Sequence, residues 1–179
     1  MMTIEERIPL LEDILDKWKG EIGGDFLGYK NHVYRMTNFC FALGEQRSAE
    51  EREKIIIAGC FHDIGIWTGD TFDYLPPSTL AAREYLTDND LAGWIPEIEL
   101  MIDQHHKLNA YQDNPLVETF RKGDLVDFSL GIAKCGLPKA YIKSVKKQFP
   151  NAGFHKGLVK LAGRWICRHP LNPIPVLKW

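Results

Sequence analysis

The sequence predicts an all-α fold, and three observations carry that prediction. Apolar residues recur at spacings of three and four along most of the chain, the period of a helix with one buried face. No segment alternates polar and apolar residues as a half-buried strand does. Ser48 followed three residues later by Glu51 is a capping box, and Pro96, Pro115 and Pro138 sit where the first turn of a helix tolerates proline. A chain of 179 residues forms one domain here, spanning residues 1–179, and it is long enough to build a core without staples.

The elements follow in order. Ile4, Ile8, Leu11, Leu15 and Trp18 form a first apolar stripe that Gly20 interrupts. Gly23-Gly24 makes a joint, and Asp25 is placed to cap a second helix with Tyr29, Val33, Met36, Cys40 and Leu43 on its inner face. The capping box opens a third helix through Ile55 to Phe61. An aromatic loop from Ile66 to Pro77 follows, a candidate lid or specificity wall. Ser78 is placed to cap a short helix through Leu86. Further helices run from Pro96 to about Lys107, from Pro115 to about Gly131, from Pro138 to before Pro150, and from Gly153 to Arg168. The tail, His169 to Trp179, carries four prolines and is not helical; Leu171, Ile174, Val176, Leu177 and Trp179 suggest that it packs on the body. The expected architecture is a bundle of seven or eight helices.

Composition narrows the function classes. The apolar fraction of 45% and charged fraction of 26% are those of an ordinary globular protein. A formal charge of -2 leaves no basic excess for a nucleic-acid backbone, and the lysines of Lys139 to Lys147 read as a solvated helix face. The four cysteines, Cys40, Cys60, Cys135 and Cys167, form no metal- or disulfide-type pair in sequence and read as reduced thiols of a cytoplasmic protein. No signal-peptide pattern opens the chain and no apolar run approaches a membrane span, so no membrane partner is expected.

One polar pair stands out. His62 and Asp63 end the apolar run Ile55 to Phe61, which offers them no polar relief. His32 lies on the inner face of the second helix, three after Tyr29 and four before Met36. Asp124 is in phase with Val117, Phe120 and Phe128. Each alone has a structural explanation, such as a satisfied core histidine at His32 or a His–Asp hydrogen bond at His62-Asp63, although Lys122 cannot pair with Asp124 through their own helix. Four such residues on three helices point to one shared divalent ion. Two nitrogens and two carboxylates suit Mn, Fe, Co, Ni or Zn, with positions left for water or substrate.

His32, then Phe61-His62-Asp63-Ile64-Gly65, then Gly123-Asp124-Leu125-Val126-Asp127 resemble the HD superfamily of metal-dependent phosphohydrolases. The resemblance spans about residues 25–130, leaving 131–179 as C-terminal helices and proline-rich tail. The paired Gln104-His105-His106 is a further familiar element. The resemblance implies metal binding by His32, His62, Asp63 and Asp124. It implies hydrolysis of a phosphate ester, often of a nucleotide, by metal-activated water attacking phosphorus in line. This chain departs from the family's nucleotidase and alarmone-hydrolase branches. Those carry acids just after the pair, where Gly65, Ile66 and Trp67 stand here; the nearest acids are Asp70 and Asp73. It also lacks a histidine between Ile64 and Gln104, which favours one metal over the two used by the cyclic-dinucleotide and oxygenase branches.

Around the metal, His105 is in phase with Ile98, Met101 and Ile102. With Asp63 it is a catalytic candidate; otherwise it is a helix C-terminal histidine favoured by the dipole. Arg35, one turn from His32, is a candidate phosphate contact or an ion-pair partner. His106 and Lys107 are further substrate-binding candidates, with Arg121 and Lys122 behind them. Asp127, three after Asp124, is placed to support a ligand, to pair within its helix or to face solvent. Three functions are weighed: a phosphohydrolase of a small phosphorylated molecule, a nucleotide sensor that keeps the pocket without cleaving, and a two-iron oxygenase. A homodimer is a further candidate assembly.

Overall fold

The second predicted helix is the axis of the bundle. In the computed structural model, which describes residues 2–44, 46–69, 71–171 and 175–176, it runs Phe26–Leu43 and is buried along most of its length. Among the described residues there are eight helices of nine residues or more and no strand. They are α1 Pro9–Lys17, α2 Phe26–Leu43, α3 Ala49–Phe61, α4 Leu75–Asp88, α5 Ile95–Gln104, α6 Pro115–Phe128, α7 Lys139–Gln148 and α8 Phe154–Arg168. Single helical turns at Lys19–Ile22 and Gly65–Thr68 link them.

Local chemistry sets the boundaries. Ser48 Oγ accepts from the Glu51 amide at 3.1 Å while Glu51 Oε2 accepts from the Ser48 amide at 2.9 Å, so both halves of the capping box form at α3. At α6, Asn114 Oδ1 accepts from the amides of Leu116 and Val117 at 2.8 and 3.1 Å, ahead of Pro115 in the first turn. Leu11, Ile14 and Leu15 of α1, Val33, Met36 and Phe39 of α2, Ile55 of α3, Ile98 and Met101 of α5 and Phe120 of α6 share one core.

α2 and α6 lie backbone to backbone. A methyl group added at Gly123 would meet Cys40 Sγ, with Met36 O at 3.0 Å and Cys40 N at 3.1 Å. Only glycine permits this approach, and it brings the next residue, Asp124, against α2.

Several sequence expectations change in detail. Asp25 caps nothing; its Oδ2 accepts from Trp67 Nε1 at 3.3 Å. Ser78 lies inside α4, which begins at Leu75, and its Oγ accepts from the Gly65 amide at 2.9 Å. The aromatic segment is therefore partly helical rather than a loop to Pro77, and it is tied back onto the turn after Asp63. α5 and α6 end earlier than expected, at Gln104 and Phe128, and Phe128 is half exposed rather than inward. In the tail Val176 is buried but Leu171 is fully exposed; Ile174, Leu177 and Trp179 lie outside the described residues.

Candidate metal centre

Four helix segments converge on one buried point. α2 delivers His32, the C-terminal end of α3 delivers His62 and Asp63, α6 delivers Asp124, and the end of α5 delivers His105. All five are buried. His32 Nε2 lies 3.0 Å from His62 Nε2, 3.7 Å from Asp63 Oδ2 and 3.5 Å from Asp124 Oδ1. His62 Nε2 lies 3.4 Å from Asp63 Oδ2 and 3.7 Å from Asp124 Oδ1. Donors about 2.1 Å from one ion stand about 3.0 to 4.2 Å apart over the cis and trans positions of an octahedron. These five separations sit within that range, and the donors form overlapping trios able to hold an ion: His32, His62 and Asp124, and His62, Asp63 and His105.

Hydrogen bonds at the far side of each ring fix which nitrogen faces inward. His32 Nδ1–H donates to Asp127 Oδ2 at 2.7 Å, and His62 Nδ1–H donates to the Gly59 carbonyl at 2.8 Å. Burial drives the His62 pKa down to about 3, against the opposing pull of Asp63, so this ring is neutral. His32 Nε2 and His62 Nε2 face each other at 3.0 Å. That spacing matches two cis ligands of one ion. His105 repeats the His62 device: Nδ1–H donates to the carbonyl three residues back, Ile102, at 2.6 Å. These carbonyls belong to last helical turns, where acceptors lack intrahelical partners.

Charge supports the same reading. Asp63, Asp124 and Asp127 are buried with one guanidinium, Arg35, so three carboxylates face a single fixed cation. Burial raises the Asp124 pKa to about 6, with Asp63 and Asp127 adding to the shift against His105 and His32. The three carboxylates would offset a divalent ion's charge, and its field would favour an ionised Asp124. Asp63 Oδ1 and His105 Nε2 are buried, 3.6 Å apart, and have no hydrogen-bond partner. Native interiors rarely leave such atoms unmatched, so these two mark the face of the cluster that meets water or a ligand. The residues present fit a divalent cation.

Behind the cluster stands a second layer. Arg35 holds Asp127 with two bonds, Nε to Oδ1 at 2.5 Å and Nη2 to Oδ2 at 2.8 Å, and its Nη1 donates to the carbonyls of Phe149 and Pro150. The sequence offered Arg35 as a phosphate contact or an ion-pair partner; its guanidinium lies on the far side of His32 and takes the second role. Phe154, at the start of α8, stacks on His32 with ring centres 4.2 Å apart.

On the open side lies a cavity of about 250 Å³. Asp124, His105, His106 and Lys107 line its floor; Phe72, Tyr74, Leu125 and residues of α8 line its walls. Tyr74 O–H and His106 Nε2 are 2.6 Å apart. Burial and the neighbouring His105 push the His106 pKa well down, so its Nε2 accepts a hydrogen bond from the Tyr74 hydroxyl. Arg121 also lines the cavity, but Glu118 grips its Nε and Nη2 at 2.7 and 2.9 Å, and its Nη1 donates to the Lys107 carbonyl. Lys122 pairs with the same Glu118. Asp73 is exposed on the aromatic segment, and Asp70 lies outside the described residues.

Tyr74 and Phe154 are the site residues that sequence reasoning passed over as functional. Tyr74 had a signal, its place in an aromatic loop. Phe154 had none, because it reaches His32 from more than a hundred residues away.

The fold and site together define an all-helical bundle with a buried His/Asp cluster able to hold a metal ion, an arrangement compatible with an HD domain. Comparison with family models, with curated proteins and with solved structures finds no match.

Proposed function

We propose that the protein is a metal-dependent phosphohydrolase acting on a phosphate ester of a small molecule, a nucleotide among the candidates. One observation carries the reading: buried histidine and aspartate donors from three helices, two of them imidazole nitrogens facing each other at 3.0 Å, beside a cavity and an unmatched Asp63–His105 pair. His32, His62, Asp63 and Asp124 hold the ion. A divalent ion there supplies Lewis acidity, acidifying a water and neutralising charge that builds on a phosphoryl oxygen.

The chain's own residues supply the rest. Asp63 Oδ1 is free to accept a hydrogen bond at the edge of the cluster, and against burial the neighbouring histidines hold its pKa low, so it stays a carboxylate. His105 Nε2 carries a proton: burial opposes its protonation, but Asp63 and Asp124 raise its pKa overall. Its ring is fixed by the Ile102 carbonyl, so the proton stays aimed at Asp63 and the cavity floor. His106, set by Tyr74, and Lys107 line the floor where the ester's phosphate rests. The cavity walls exclude water from the body of the substrate.

The test is phosphate release from a panel of phosphate esters by purified protein with Mn²⁺, Co²⁺ or Ni²⁺. Release that His62→Ala abolishes is expected. No release from any ester, with His62→Ala indistinguishable from wild type, refutes the reading. Tight nucleotide binding without turnover would instead favour the sensor.

A further inference from the structure

The charge of this chain is segregated in a way its net value hides. All 24 acidic residues lie at or before Asp127. Residues 1–127 hold 12 Lys and Arg against those 24 acids, a net -12; residues 128–179 hold 10 and no acid, a net +10. Such asymmetry between parts of one chain points to a polyanionic partner. Among the described residues no Lys or Arg beyond Lys122 forms an ion pair, whereas Arg and Lys residues before that point are repeatedly paired.

α8 organises part of this excess. Lys156, Lys160, Arg164 and Arg168 recur every fourth residue and are all exposed, forming one stripe. Leu158, Ala162 and Ile166 recur with the same spacing on another flank and line the cavity. The mouth of that cavity is greasy outside as well as in. Four of its lining residues are large apolar side chains left in water: Leu108 at 53% exposure, Phe128 at 52%, Val159 at 72% and Ile166 at 41%. They come from the α5–α6 connection, the end of α6 and α8, yet they gather at one rim, as an interaction surface does.

We propose that this rim and the basic stripe of α8 form a docking face for an anionic lipid bilayer. Cations on one flank of a helix and apolar side chains on an adjoining flank suit a helix lying in the headgroup layer. The cations meet lipid phosphates, and Leu108, Phe128, Val159 and Ile166 reach the acyl boundary. Single-stranded nucleic acid also attracts a basic stripe, but it is gripped through stacking aromatics, and three of the four rim residues are aliphatic. The expectation of no membrane partner followed from the lack of a spanning segment. No described helix is long and apolar enough to cross a membrane. A helix lying on the surface needs neither property. The docking face uses no metal ligand and does not depend on the phosphohydrolase reading.

The experiment is co-sedimentation of the full chain with vesicles of phosphatidylcholine alone or with one-third phosphatidylglycerol, at low and at 0.5 M salt. Binding to the anionic vesicles only, lost in high salt, is expected. Replacing all four stripe cations (Lys156→Gln, Lys160→Gln, Arg164→Gln and Arg168→Gln) should weaken partitioning at least about 100-fold, at about fivefold for each cation. Val159→Asp with Ile166→Asp should weaken it about tenfold or more. Circular dichroism and metal binding matching wild type establish that these surface variants are folded. His62→Ala should lose turnover and still dock, which separates this proposal from the phosphohydrolase reading. Equal binding to neutral vesicles, no binding to either, a four-fold variant that binds like wild type, or salt-sensitive binding to single-stranded RNA without vesicle binding would overturn the proposal.

Discussion

Replacing Asp127 by Asn tests the second layer of the site with two separable readouts. Asp127 is buried, takes two hydrogen bonds from Arg35 and one from His32, and its pKa is lowered from the ordinary 3.8 because those bonds and charges outweigh burial. Asparagine has nearly the same shape but no charge. Arg35 would then be a buried cation whose remaining partners are the carbonyls of Phe149 and Pro150. Breaking a buried pair from one side costs about 3–5 kcal/mol. For a domain of this length that is a fall of about 6–20 °C in Tm. The His32 ring also loses the carboxylate that sets its tautomer, and such losses weaken metal binding about 10- to 100-fold. Urea unfolding in chelator reads the first effect and calorimetric Mn²⁺ titration the second. The pH dependence has a definite sign. A carboxylate with a depressed folded pKa stabilises fully above the unfolded value and loses that contribution as pH falls through the folded one. The gap between wild type and Asp127→Asn should therefore be full at neutral pH and close in strong acid. A variant as stable as wild type at pH 7, with the same Mn²⁺ affinity, would show that Asp127 neither neutralises Arg35 nor orients His32.

Other consequences are quickly checked. Saturating divalent metal at about 100 times its Kd should stabilise the chain by about 2.7 kcal/mol, or about 5–11 °C in Tm, and chelator should reverse it; an unchanged Tm counts against a native-state site. Gly123→Ala places a methyl group against Cys40 and the Met36 carbonyl and should cost about 1–3 kcal/mol in urea unfolding, whereas a neutral result would mean that α2 and α6 part freely. Tyr74→Phe removes the hydrogen bond to His106 and should raise KM for a phosphate ester severalfold with Mn²⁺ affinity unchanged; a loss of metal binding would place Tyr74 in a role the geometry does not give it.

The inward phase of His32 and Asp124, and the stranded position of His62-Asp63 after seven apolar residues, were legible in the sequence because helical period fixes which side chains share a face. The capping box at Ser48 and the proline-led starts were legible for the same local reason. What the sequence withheld is long-range. The role of Arg35 depends on α6 bringing Asp127 alongside and on Phe149 and Pro150 arriving from the α7 end. The placement of Ser78 depends on Gly65, where a Cβ would meet the Tyr74 carbonyl, so the turn after Asp63 fits under α4. Phe128 kept the right helical phase but lies at the last residue of α6, beyond the core that would have covered it.

The measurement closest to the central claim is metal stoichiometry by elemental analysis, on protein purified without chelator, for wild type and for Asp124→Ala. About one divalent ion per wild-type chain is expected, with a loss of at least tenfold in affinity for Asp124→Ala. A wild-type chain that stays metal-free when offered Mn²⁺, Fe²⁺, Co²⁺, Ni²⁺ and Zn²⁺ in turn, or an Asp124→Ala chain that binds as well as wild type, would contradict that claim.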